Sequence, residues 1–145
     1  MIQRSGDPAD DLSYLKKMAE AGRRSRVVPA LLSGDLQRTA AFYGKLGFAT
    51  ERPDGGSQPP KRLGFERDGI YLLFFDEPMG PIRAPVMSGT IYIFPENVDA
   101  LAQEWQGKVD FLWGPELMPY GLYEFGIRDP DGYHLSFAER RARSP

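Results

Sequence analysis

A single histidine and no cysteine stand among the 145 residues, and this restricts the chemistry available. Without cysteine there is no thiolate nucleophile, disulfide, iron–sulfur cluster or zinc-finger site. His134 alone cannot serve a site that needs two or more imidazoles, such as a His-Glu-x-x-His metalloprotease or a two-His-one-carboxylate iron centre. Imidazole changes charge nearest neutral pH, so His134 could bind a ligand or shuttle a proton. The other reading is a strand-end histidine paired with Arg128 or water, since no partner base or nucleophile is evident. Glu124 is either a cavity anion that attracts a cationic ligand or one side of a salt bridge with Arg128 or another arginine. Tyr92, Trp113 and Tyr120 offer flat faces for ligand rings. Tyr120 lies in a Pro–Gly loop, where an aromatic residue is less needed for packing. No Gly-x-Ser-x-Gly elbow, Walker loop or dinucleotide fingerprint is present. Gly55-Gly56-Ser57 sits in a proline-rich loop rather than before a helix, which makes it a poor phosphate cradle. Capping and solvation explain the acidic pairs Asp10-Asp11 and Asp76-Glu77.

Eighteen basic against 20 acidic residues leave a charge of −2, which argues against nucleic acid as a partner. Ordinary globular proportions, 41% hydrophobic and 26% charged, argue against disorder. The length suits one domain or two small halves. No apolar run approaches the roughly 20 residues of a membrane span. The first residues lack the apolar core of a signal peptide, so a cytoplasmic location is expected.

These side chains need elements to position them. A first helix is expected over 1–25, capped by Asp7 with Pro8 at its first turn and Gly22 as its stop. Val27–Leu32 reads as a buried strand, followed by a helix capped at Ser33-Gly34-Asp35 with Leu36, Ala40, Tyr43 and Leu46 on one face. Pro53–Pro60 reads as an exposed loop. Strands are expected at Leu63–Phe65 and Ile70–Phe75, joined by a turn at Asp68-Gly69. The second half begins with a strand at Thr90–Phe94 and a helix capped by Asn97, with Val98, Leu101, Ala102 and Trp105 buried. Val109–Trp113 follows, then a loop with Pro115 and Pro119, then strands at Leu122–Arg128 and Tyr133–Phe137 around the turn Asp129-Pro130-Asp131-Gly132.

The halves look like copies. Gly44-Lys45-Leu46-Gly47-Phe48 matches Gly107-Lys108-Val109-Asp110-Phe111 at an offset of 63 (111 − 48), which also puts Phe42 on Trp105. Each half reads as strand, helix, then up to three strands. With a one-residue bulge at Gly132, Arg128 opposes His134, Gly126 opposes Ser136 and Glu124 opposes Ala138. Thr90, Tyr92, Glu124, Arg128, His134 and Ser136 then share one sheet face, with Phe125, Ile127, Leu135 and Phe137 on the other.

The stretch Pro29 to Phe48, with Asp35-Leu36, Phe42-Tyr43 and Leu46-Gly47-Phe48, resembles the opening signature of the vicinal oxygen chelate superfamily, the glyoxalase, bleomycin-resistance and extradiol-dioxygenase group. Pro119-Tyr120-Gly121, Glu124-Phe125 and Asp129-Pro130-Asp131-Gly132 resemble its closing signature. The resemblance implies an α+β fold over residues 26–140. Two βαβββ modules, roughly 26–80 and 88–140, would form a partly open barrel, with the N-terminal helix and a tail at 141–145 outside it. It also implies a divalent metal held by four strands. Those positions fall here on Val28, on Leu72 or Leu73, on Thr90 and on Ser136, none of which is an imidazole or carboxylate. The expectation is therefore a protein of the bleomycin-resistance type, without metal, cofactor or catalytic residue. It would sequester a small, partly aromatic molecule, cationic if Glu124 attracts it, in a cleft associated with a homodimer. Its ligand-binding candidates are Thr90, Tyr92, Trp113, Tyr120, Glu124, Arg128, His134 and Ser136. A superfamily enzyme with a non-standard or absent metal site, and a non-catalytic interaction module, are the alternatives.

Overall fold

Short, strongly patterned segments set the architecture. The computed structural model describes residues 27–52, 59–78 and 80–141. The helix expected over 1–25 and most of the loop expected over 53–60 lie outside them. The chain divides into two compact units between Pro85 and Val86.

The first unit runs β1 (Ala30–Leu32), α1 (Leu36–Lys45), β2 (Ala49–Glu51), β3 (Arg62–Arg67) and β4 (Ile70–Phe75). The second runs β5 (Ile91–Ile93), α2 (Val98–Trp105), β6 (Phe111–Leu117), β7 (Leu122–Arg128) and β8 (His134–Arg140). Each is a βαβββ module with a four-stranded mixed sheet, ordered β1-β4-β3-β2 and β5-β8-β7-β6. This is the expected α+β fold class.

Local chemistry explains most boundaries. Asp35 and Asn97 cap the helices by accepting from the backbone N–H of Arg38 and Ala100. Asp68 and Gly69, both at positive φ, turn β3 into β4. Asp129 Oδ1 accepts from the N–H of Asp131 and Tyr133, and Gly132 at φ 89° completes the bulged turn into β8. β1 is shorter than expected because Pro29 has no N–H to pair. Its carbonyl still accepts from Leu73 N at 2.9 Å.

Two expectations are corrected. Pro115 is not in a loop: β6 continues to Leu117, with register shifts on both sides of Trp113. β6 is an edge strand, where a proline removes no necessary ladder bond. The residue matching Trp105 is Tyr43, not Phe42. Both Tyr43 and Trp105 are wholly buried, and the helix caps keep the same offset of 62 (105 − 43 and 97 − 35). Tyr43 packs on Phe48, Phe65 and Phe74, while Trp105 stands edge-on to Phe125 and Phe137. These clusters place each helix on one face of its sheet and leave the opposite face for other uses.

Candidate functional site

In the second unit the pairing Tyr92↔Ser136↔Gly126↔Trp113 crosses all four strands, so these residues share the face away from α2. Glu124 lies two residues before Gly126 on the same face. The turn at Gly132 gives the expected register: Glu124 opposes Ala138, Gly126 opposes Ser136 and Arg128 opposes His134.

Three aromatic side chains converge on one oxygen of Glu124. Tyr120 Oη donates to Oε1 at 2.8 Å, Trp113 Nε1 at 3.2 Å and Tyr92 Oη at 3.4 Å. The two phenol oxygens are themselves 3.4 Å apart. Glu124 is 1% exposed, whereas Tyr92 and Tyr120 are 44% and 61% exposed, so the acid lies beneath two phenols that reach solvent. The other carboxyl oxygen, Oε2, is buried and has no hydrogen-bond partner. An unmatched buried acceptor costs free energy until a donor reaches it. The bond with Tyr92, desolvation and the bond to Glu124 together hold the Tyr120 phenol well above its usual range.

The backbone prepares this arrangement. Met118–Gly121 forms a turn in which Gly121 N donates to Met118 O at 3.0 Å, with Pro119 fixing the second position and Tyr120 the third. Gly126 lets Trp113 lie flat on the sheet, since a Cβ there would collide with three indole carbons. The role of Gly126 was not anticipated, although a glycine inside a strand is a usual mark of close approach.

Of the other candidates, Ser136 lies on the same face, wholly buried, with its hydroxyl unpaired. Thr90, half-buried just before β5, makes no bond to Glu124. Arg128 and His134 form a separate pair: Arg128 Nε donates to His134 Nε2 at 3.3 Å. They sit four residues along β7 from Glu124, about 13 Å at the rise of a strand. The expected alternative of a Glu124–Arg128 salt bridge is thus replaced by the aromatic donors.

In the first unit the pairing puts Leu73, rather than Leu72, on the face away from α1. Leu73 packs there with Tyr71 and Val28. The four positions where the resemblance places metal ligands therefore hold Val28, Leu73, Thr90 and Ser136, two aliphatic side chains and two hydroxyls. No cluster of three or more His, Asp or Glu residues able to hold an ion occurs among the described residues. These side chains do not fit a divalent cation.

No helix among the described residues is long and apolar enough to cross a membrane.

No curated protein matches the chain. Solved structures do. A bleomycin resistance determinant encoded on the transposon Tn5 is 22% identical, with 80% of this chain and 98% of that one covered and a TM-score of 0.60. A bleomycin-binding protein complexed with bleomycin is also 22% identical, with 79% and 98% covered and a TM-score of 0.60. Lactoylglutathione lyase from Agrobacterium tumefaciens is 23% identical, with 78% and 91% covered and a TM-score of 0.58. At these identities the likeness is one of fold. The family model of the Glyoxalase/Bleomycin resistance protein/Dioxygenase superfamily matches residues 26–137. The chain, with its paired βαβββ modules, belongs to that superfamily.

Proposed function

We propose that this chain binds a small, partly aromatic, positively charged molecule and acts by sequestering it, without a metal. Tyr92, Trp113 and Tyr120 form the walls, and Glu124 supplies the anion. One observation carries this reading: Glu124 Oε2 is buried and has no hydrogen-bond donor, while three aromatic side chains donate to Oε1. A protein that needed Glu124 only for packing could hold a leucine or glutamine there at lower cost. The fold shared with a bleomycin-binding protein makes bleomycin-class drugs the first ligands to test. The reading extends to a homodimer as the working form, checked by the sedimentation coefficient with and without ligand.

Calorimetric titration with bleomycin and a panel of aromatic cations tests the function. Heat from at least one is expected, with affinity about tenfold weaker or worse in Glu124→Gln, as for a lost charge-assisted hydrogen bond. An absence of heat from every compound would sink the proposal.

A further inference from the structure

We infer that Glu124 selects a protonated amine bearing at least one N–H, in preference to a guanidinium or a quaternary ammonium. This deepens the binding function proposed above and rests on it.

The two carboxyl oxygens are not equivalent. Oε1 already accepts from two phenols and an indole, whereas Oε2 accepts from nothing. A guanidinium or amidinium binds a carboxylate best through two parallel N–H bonds, one to each oxygen. Here the Oε1 positions are taken, so the second arm of the fork has no acceptor. A single N–H that reaches Oε2, which is buried in the free protein, asks for one acceptor only.

A quaternary ammonium fails for a different reason. It has no N–H, so it would leave Oε2 buried and unpaired. Its usual recognition depends on aromatic ring faces around the charge. Here the three aromatic residues turn their polar edges, the two hydroxyls and the indole N–H, toward Glu124. One face of Trp113 is also laid against Gly126. The three side chains are thus held by their polar edges at an acceptor, which a methylated cation has no N–H to join.

A neutral alcohol could donate to Oε2 but brings no charge. All three present partners of Glu124 are neutral donors, so only a cationic donor adds direct charge attraction to the hydrogen bond.

A matched series on one aromatic frame tests this. The probes are 1-naphthylmethylamine, its N,N-dimethyl and N,N,N-trimethyl derivatives, the corresponding guanidine, and 1-naphthylmethanol, titrated calorimetrically at pH 7 beside bleomycin. The primary and dimethyl amines are expected to bind about tenfold or more tightly than the other three. Glu124→Gln is expected to remove that difference, because Gln presents an N–H₂ donor where Oε2 accepts. If Glu124→Gln does not fold, the wild-type series decides alone. A quaternary, guanidine or alcohol probe that equals the amines overturns the inference and leaves the binding function standing. If no probe binds and bleomycin does not, both fall together.

Discussion

Leu73 and Ser136 occupy the same station in the two halves. Each lies on the strand that pairs in parallel with the first strand of its module, and each faces a glycine on the neighbouring strand, Gly64 or Gly126. Both glycines are overlaid by an aromatic side chain. Over Gly64 it is the phenol of Tyr71, from the adjacent strand β4, and over Gly126 it is the indole of Trp113, from the edge strand β6. The surroundings then diverge. The first half closes this face with Val28, Tyr71 and Leu73. The second lines it with Tyr92, Trp113, Glu124 and Ser136 and leaves two polar atoms unpaired. One plan has thus been used twice, once to bury apolar surface and once to hold unmet hydrogen-bonding capacity. Unmet capacity is a cost that packing does not require, which is why we place the proposed binding site in the second half.

Leu73→Ala and Ser136→Ala should separate the two uses most strongly. Leu73→Ala removes a wholly buried side chain from a packed cluster and should cost about 2–5 kcal/mol in chemical unfolding. Ser136→Ala removes a hydroxyl that has no partner, so stability should hold or rise by up to about 1 kcal/mol. Comparable losses in both variants would mean that Ser136 is structural and the contrast is false.

The glycine pair offers a smaller test of the same contrast. Gly126→Ala drives a methyl into the ring atoms of Trp113 and should cost about 1–3 kcal/mol, as overpacking does. It should also pull the indole N–H from Glu124, shift the tryptophan emission and weaken ligand binding. Gly64→Ala drives a methyl against the phenol end of Tyr71, which is buried in its own packed cluster, so it should cost a comparable amount but leave the tryptophan emission and ligand binding unchanged. If Gly126→Ala left the tryptophan emission unchanged, the indole would not be held by Gly126 in the way described.

Much of this was legible in the sequence, for identifiable reasons. The Asp129–Gly132 turn carries its geometry in its residue types, and that turn sets the register of β7 and β8. Counting back from it put Glu124, Gly126 and Arg128 on one face. Asp35 and Asn97 announced their helices because capping is local chemistry. The continuation of β6 through Pro115 was hidden, since proline forbids a central strand but not an edge, and edge position is a property of the assembled sheet. The partners of Glu124 were hidden for the same kind of reason. Arg128 is close in sequence and lies on the same face, yet a strand carries it away from the acid. Tyr92 is 32 residues distant and is brought in across the one intervening strand, β8. Sequence separation predicted neither outcome, because sheet pairing decides both.

The smallest expected effect is a difference in acid response. Helix α2 is tied to its sheet by titratable groups: Asp99 accepts from the Tyr123 phenol at 2.6 Å and from Arg141 at 2.7 Å, and Arg141 stacks on the Tyr123 ring. The Tyr123 bond first, and Arg141 second, hold the Asp99 carboxyl below its usual range. A depressed carboxyl stabilises above its unfolded pKa of about 4 and loses that contribution as pH falls through the folded value. Helix α1 is instead joined to the end of β1 by a buried hydroxyl pair, Ser33 and Thr39 at 2.7 Å, which does not titrate there. Asp76, at the end of β4, is raised by desolvation and by Glu77, so the sign reverses. Its contribution is fully present below the unfolded pKa and is lost as pH rises through the folded one, so acid relieves the first half. Amide exchange measured from pH 6 to pH 3 should therefore show α2 losing protection before α1, and Asp99→Asn should flatten the α2 response. Equal loss in both helices would show that acid acts on the chain as a whole, and would remove the Asp99–Tyr123–Arg141 tie from the list of differences between the halves.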